Sequence, residues 1–113
     1  WDLMVNATPI GTFPDVDDTP LPGGPFGTGV VYDLVYNPPE TRLLRDARAA
    51  GCRTLGGLDM LIAQAERQFE WWTGRPAPDG VMRRSAHEAL ASDDWRARDA
   101  GGEHRVATIE RAR

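Results

Sequence analysis

The run from Val30 to Tyr36 constrains the fold of this 113-residue chain more than any other segment. It is β-branched, aromatic and nearly continuous in its apolar character, and it stops at Asn37 and Pro38, where proline removes a backbone donor. Such a run is typical of a strand buried on both faces, as in a parallel sheet. Parallel strands need long crossovers, which helices usually supply. The run therefore predicts an α/β fold.

Further elements are predicted on both sides of this strand. Residues from Asn6 to Gly29 are rich in Pro, Gly, Asp and Thr, which indicates a loop. Two other short strands are predicted at Leu3 to Val5 and Cys52 to Leu55. Capping residues and apolar spacing predict helices after a Thr41 cap up to Gly51, over Gly57 to Thr73, and from an Asp79 cap to about Ala91. Strands that alternate with helices in this order imply a parallel sheet with flanking helices.

Composition excludes several classes of function. The net charge of −4 argues against a nucleic-acid partner, and no apolar stretch is long enough to cross a membrane. All 13 basic residues are arginine, so a lysine acid or base cannot come from this chain. The single cysteine, Cys52, excludes an internal disulfide and fits a reducing, cytoplasmic location. We expect a polar, disordered tail over residues 92–113.

The carboxyl ends of the three predicted strands carry the candidate binding residues. Ligands of open parallel sheets bind beyond these ends, which here are Asn6 to Pro9, Tyr36 to Pro38, and Gly56 with Gly57. We therefore expect all three segments to line one crevice. Asn6 and Thr8 could equally stabilise a turn, and Tyr36 could simply pack.

The helix predicted from Gly57 adds two candidates. Met60 and Gln64 lie one turn apart on one face, and a glutamine on an apolar face needs a hydrogen-bond partner, which could be a ligand or a backbone group. Trp71 and Trp72 are expected to cover the edge of a core. We also expect an exposed apolar patch on this helix.

Other polar clusters favour structural interpretations. The glycine-rich segment 23–29 follows a loop and opens a strand, so it does not fit a dinucleotide loop. Three aspartates at 15, 17 and 18 indicate a solvated turn, since no ligand loop surrounds them. His87 and His104 have no partners at zinc-ligand spacing, so no metal is expected.

With these motifs in order, the chain resembles the carboxyl-terminal part of a shikimate dehydrogenase. The resemblance is carried by four segments, which are Asn6-Ala7-Thr8-Pro9-Ile10-Gly11, Val31 to Pro38 followed by Thr41 and Leu43-Leu44, Gly57-Leu58-Asp59-Met60-Leu61 followed by Gln64-Ala65, and Phe69 with Trp72-Thr73-Gly74. It implies a Rossmann-like fold, here the C-terminal half of a parallel sheet with flanking helices. Residues 1–74 would end the NADP-binding domain and include the return helix 57–73, and residues 75–91 would hold a C-terminal helix.

The resemblance also implies a role for each matching residue. It places six residues against the cofactor, which is NADP or alternatively NAD. These residues are Asn6, Ala7, Thr8, Leu34, Gly57 and Met60. Those that would hydrogen-bond the small-molecule substrate, shikimate or 3-dehydroshikimate, are Tyr36 and Gln64. Gly57 would place its carbonyl against the nicotinamide amide, and Met60 would pack beside the ring. The implied reaction is reversible hydride transfer between NADPH and 3-dehydroshikimate.

Several parts of the family's machinery would precede Trp1. The catalytic lysine and aspartate, the glycine-rich loop and the basic clamp for the 2′-phosphate belong to that part, so the resemblance assigns no catalytic residue here. We expect a missing N-terminal substrate domain and no turnover by this chain alone. The alternatives are a quinate or dual quinate/shikimate dehydrogenase using NAD or NADP, and a noncatalytic remnant that binds a nucleotide or a partner.

Overall fold

A parallel sheet of three strands forms the centre of the molecule in a computed structural model, which describes residues 1–92. Its strands lie side by side in the order β1–β2–β3, and both pairs are parallel. The elements in chain order are β1 (Leu3–Asn6), β2 (Val30–Asp33), α1 (Arg42–Ala49), β3 (Arg53–Leu55), α2 (Gly57–Thr73) and α3 (Val81–Ala91). The predicted α/β architecture is confirmed. The expectations for the tail beyond Ser92 and for His104 lie outside the described residues.

Strand β2 is shorter than the sequence predicts. It ends at Asp33, whereas the apolar run continues to Tyr36. The cause is Asp33 itself, because its side-chain Oδ1 accepts a hydrogen bond from the backbone N–H of Val35 at 3.0 Å. That bond takes a donor that a longer strand would use in the sheet, so the chain turns away at this point.

One face of the sheet is covered, and the other is not. The buried core consists of Val31 of β2, Cys52, and three residues of α1, which are Leu43, Leu44 and Ala47. On the opposite face Leu3, Val5 and Leu55 are all exposed. On β2 itself, Val30 and Tyr32 are only half-buried on that side, so the prediction that this strand is buried on both faces is wrong within residues 1–92.

Helix α1 begins at the cap that the sequence predicts. Thr41 has extended backbone angles, and its Oγ1 accepts a hydrogen bond from the N–H of Leu44 at 3.3 Å. Three apolar side chains on one face then anchor the helix over β2 and β3. This packing places the start of α1 beside the carboxyl end of β2.

Helix α2 has the predicted bounds, and α3 packs against it. The left-handed Gly74 ends α2, as expected for a C-terminal glycine. The predicted Asp79 cap is wrong, because Gly80 occupies the cap position and no side chain caps the helix. No helix within residues 1–92 has the length and apolar character that a membrane span requires.

The two tryptophans of α2 are not where we expected them. Trp71 is 84% exposed and Trp72 is 74% exposed, so neither covers the edge of the core in the described part of the chain. Buried residues of α2 are confined to its first two turns, at Gly57, Leu58 and Ile62. The exposed apolar surface expected on this helix is present at these two indoles.

Candidate functional site

A cavity of about 480 Å³ opens at the carboxyl edge of the sheet. Its walls come from the loop after β1 and the segment after β2, which lie side by side because the two strands are parallel neighbours. The N–H of Phe13 donates to the carbonyl of Asn37 at 2.9 Å and ties the two segments together. The residues that line the cavity are Ala7, Thr8, Pro9, Thr12, Phe13, Leu34, Val35, Tyr36 and Asn37. We call this cavity the cleft.

Four of the predicted site residues meet in the cleft. Ala7 and Thr8 contribute from the β1 side, and Leu34 and Tyr36 contribute from the β2 side. They are separated by more than twenty residues in the sequence, so only the parallel pairing of β1 with β2 brings them together. The predicted crevice at the strand ends is present for these two segments.

Asn6 lies beneath the cleft wall and is almost fully buried, with 4% of its surface exposed. Its Oδ1 accepts from both the backbone N–H of Thr8 at 3.0 Å and the Thr8 hydroxyl at 2.6 Å. Its Nδ2 donates to the carbonyl of Ile10 at 3.3 Å and to Oδ1 of Asp33 at 3.0 Å. The amide is therefore fully bonded within the protein.

Asp33 stands opposite Asn6 in the sheet register and is completely buried. Its carboxylate accepts from Asn6, from the N–H of Val35, and from the Thr41 hydroxyl at 2.6 Å. A buried carboxylate requires such donors, because water cannot reach it. The group thus joins the ends of β1 and β2 to the first turn of α1.

Gly57 approaches the end of β2 too closely for any side chain. A Cβ added at this position would lie 2.2 Å from the carbonyl oxygen of Leu34 and 3.0 Å from that of Val35. The start of α2 therefore packs directly against the backbone that forms one wall of the cleft. This contact is the reason for a glycine at the position.

The other two predicted residues of α2 lie farther along the helix. Met60 is half-buried and Gln64 is exposed, and neither belongs to the lining of the cleft. The side chain of Gln64 forms no hydrogen bond within residues 1–92, so it is available to a ligand. The roles of Gly57, Met60 and Gln64 stay predictions.

Two polar groups at this site were not named as candidates from the sequence. Asp33 carried a signal, since a carboxylate inside an apolar strand needs buried partners. Asn37 carried a weaker one, and its side-chain Oδ1 is enclosed without a hydrogen-bond partner among the described residues. Buried acceptors are normally paired, so this oxygen is an exception within residues 1–92.

A second hollow, of about 510 Å³, lies on α2 and is slightly larger than the cleft. It is lined only by Arg67, Gln68, Glu70 and Trp71, all of them exposed side chains of one helix. The cleft is the better candidate because it collects residues from two strand ends.

Comparison with known proteins agrees with this geometry. The family profile "Shikimate 5'-dehydrogenase C-terminal domain" matches residues 57–87. The shikimate dehydrogenase (NADP(+)) of Moorella thermoacetica is 51% identical over 92 residues, which cover 80% of this chain and 31% of that protein. The chain is similar to the C-terminal part of shikimate dehydrogenases. It spans about a third of the length of the curated relatives that it matches.

Solved structures support the same fold. A shikimate dehydrogenase in complex with NADP+ has a TM-score of 0.73 at 38% identity, covering 80% of this chain and 32% of that one. The ligand-free 5-ketofructose reductase of a Gluconobacter species has a TM-score of 0.68 at 40% identity, covering 78% of this chain and 32% of that one. The fold is therefore a partial Rossmann-like domain, and this family segment also occurs in a reductase named for another substrate.

Proposed function

We propose that this chain forms the cofactor-side wall of the active site in an NADPH-dependent shikimate dehydrogenase, which reversibly reduces 3-dehydroshikimate to shikimate. The observation that supports the proposal best is the cleft, where Ala7, Thr8, Leu34 and Tyr36 meet at the carboxyl ends of parallel strands. Dinucleotides bind at this edge of Rossmann-like sheets. We expect the whole enzyme to be cytoplasmic, in keeping with the one cysteine of this segment, which is free.

The cofactor would lie along the β1 side of the cleft and the start of α2. Thr8 offers a hydroxyl there, and Leu34 offers an apolar contact for the nicotinamide end. Gly57 lets α2 sit directly on the backbone of Leu34, and its own carbonyl would approach the nicotinamide amide. Met60, half-buried on the same helix, would pack beside the ring.

The substrate would occupy the side of the cleft nearest Tyr36. Its phenol is 43% exposed, so the hydroxyl can reach a ligand hydroxyl or carboxylate. Gln64 would add an amide from α2. A polyhydroxylated ring would satisfy these groups, because it carries both donors and acceptors.

The chain's contribution to the reaction is orientation. NADPH supplies a hydride to the carbonyl carbon, and a proton on the carbonyl oxygen completes the alcohol. This chain has no lysine to give that proton, so the acid–base group would come from the N-terminal substrate domain of the whole enzyme. Tyr36 and Thr8 would hold the two reactants in line, which is a large part of the rate enhancement in such reactions.

A chimera tests the proposal. The 92 matched residues of this chain would replace their counterparts in the Moorella thermoacetica enzyme, which would supply the remaining two thirds. We expect NADPH-dependent reduction of 3-dehydroshikimate with kcat/KM within about tenfold of the parent, because the two segments share half of their residues. A folded chimera that has the parent's melting temperature but no activity would contradict the proposal.

The same chimera tests how far this segment influences the choice of substrate. The 40% identity to a 5-ketofructose reductase makes a keto sugar the second candidate substrate, and the ketone formed from quinate is the third. Because the substrate domain of the chimera is that of the parent, we expect the same order of kcat/KM for the three ketones as in the parent, and a shift toward the keto sugar or the quinate-derived ketone would favour that substrate for this segment. Gln64→Ala should raise the KM for 3-dehydroshikimate by about five- to tenfold, the effect of losing one hydrogen bond. Gln68→Ala on the same exposed helix provides a matched control that should leave KM unchanged.

A further inference from the structure

The hydroxyl of Thr8 has a fixed orientation in the cleft. Its proton is donated to Oδ1 of Asn6 at 2.6 Å, the shorter of the two contacts that this hydroxyl makes. The oxygen accepts one hydrogen bond, from the N–H of Ile10 at 3.3 Å. A hydroxyl has one donor and two acceptor positions, so a single acceptor position is left for a ligand in the described structure.

The orientation of Thr8 follows from that of Asn6. Two backbone groups identify which end of the Asn6 amide faces which neighbour, because Thr8 N–H can only donate and Ile10 carbonyl can only accept. Asp33 reinforces the same orientation, since its carboxylate accepts from the Asn6 Nδ2 at 3.0 Å. If the amide were flipped, its oxygen would face the Ile10 carbonyl and the Asp33 carboxylate, which both accept hydrogen bonds. Its nitrogen would face the N–H of Thr8, which donates one.

We propose that Asn6, anchored by Asp33, is a positioning residue that makes the Thr8 hydroxyl a hydrogen-bond acceptor for the ligand in the cleft. Asn6 does not touch the ligand, because it is buried beneath Thr8. The ligand group at Thr8 is then a donor, a hydroxyl or an amide N–H. The inference rests on the proposed function for the identity of the ligand, which is the cofactor on the β1 side of the cleft.

Kinetics of the chimera test the coupling between Asn6 and Thr8. Thr8→Val removes the acceptor and should raise the KM for NADPH about tenfold, with the KM for 3-dehydroshikimate within about twofold of wild type. Asn6→Ala should raise the KM for NADPH about fivefold, because the Thr8 hydroxyl is no longer held. In the double variant the KM should not exceed that of Thr8→Val by more than about twofold, since Asn6 acts through Thr8. If the increases in KM of the two single variants multiply in the double variant, the proposal is overturned.

Cys52→Ala controls for general destabilisation. Cys52 is buried in the core and does not line the cleft, so its truncation should lower the melting temperature while leaving the KM for NADPH unchanged. If Asn6→Ala does not fold, two other variants replace it. The first is Asn6→Asp alone, and the second is an exchange that combines Asn6→Asp with Asp33→Asn. Asn6→Asp alone places a second carboxylate against that of Asp33, where a hydrogen bond of 3.0 Å now exists, and it should weaken NADPH binding. The exchange should restore part of the NADPH binding. No restoration would overturn the proposal.

Hydrogen exchange in the 113-residue chain tests the contact without any turnover. The backbone amide of Thr8 and the side-chain amide of Asn6 should both exchange slowly, and Asn6→Ala should speed exchange at Thr8 at least about tenfold. An Asn6 amide that exchanges as freely as an exposed one would overturn the inference, whatever the chimera does. An inactive wild-type chimera with a protected Asn6 amide would instead count against the proposed function alone.

Discussion

Replacing Gly57 by alanine is the substitution with the clearest consequence. The new Cβ would lie 2.2 Å from the carbonyl oxygen of Leu34, whereas ordinary contact begins at 3.4 Å. The start of α2 must therefore move by the difference, 3.4 − 2.2 = 1.2 Å, because the obstacle is backbone and cannot rotate away. Overpacking of this kind costs about 1–3 kcal/mol, and a backbone obstacle places it near the upper end. Alanine recovers up to about 1 kcal/mol through its higher helix propensity.

The net loss of stability for Gly57→Ala is then about 1–2 kcal/mol, or a melting temperature lower by about 5–15 °C for a domain of this size. Thermal unfolding followed by circular dichroism measures it. Gly56→Ala is the matched control, since its Cβ would lie 3.5 Å from the nearest atom and the loss of the cap glycine costs only about 0.5–1 kcal/mol. A Gly57→Ala variant as stable as Gly56→Ala would refute the close approach of α2 to β2.

Of four other predictions, three concern single side chains and one concerns the whole chain. Thr41→Val should cost about 1–2 kcal/mol in urea unfolding, because it removes the α1 cap and a donor to Asp33; a loss below about 0.5 kcal/mol would contradict the buried network. Tyr36→Phe should leave the melting temperature unchanged and lower kcat/KM for 3-dehydroshikimate in the chimera about tenfold, and unchanged kinetics would remove Tyr36 from the site. Arg83→Ala should change the unfolding free energy by less than about 0.5 kcal/mol, since its ion pair with Asp59 is exposed; a larger loss would mean that the pair stabilises the contact between α2 and α3. The 113-residue chain alone should not oxidise NADPH with 3-dehydroshikimate, and measurable turnover would show that the acid–base group lies within it.

The sequence predicted those parts of the fold that depend on local patterns. The bounds of α2 follow from a glycine at each end and an apolar stripe between them, and the structure reproduces both ends. The Thr41 cap is an equally local signal. The end of β2 was not predictable in this way, because it depends on the Asp33 side chain bonding to the backbone of Val35. A pattern of apolar residues contains no information on such a bond.

The candidate site was predictable as an edge of the sheet but not as a set of contacts. Strand ends and loop signals placed Thr8 and Tyr36 near each other, and parallel pairing brings them into one cavity. The network that joins Asn6, Asp33 and Thr41 could not be predicted, because its members are brought together only by the sheet register and the packing of α1. The exposure of Trp71 and Trp72 was missed for a related reason, since their partners would have to come from outside residues 1–92.

The most direct test of the central claim is a crystal structure of the chimera with NADP+ and shikimate bound. The account predicts that both ligands occupy the cleft, with the Thr8 oxygen within about 3.2 Å of a cofactor donor and the Tyr36 hydroxyl within the same range of shikimate. Ligands bound elsewhere, with the ends of β1 and β2 untouched, would contradict it.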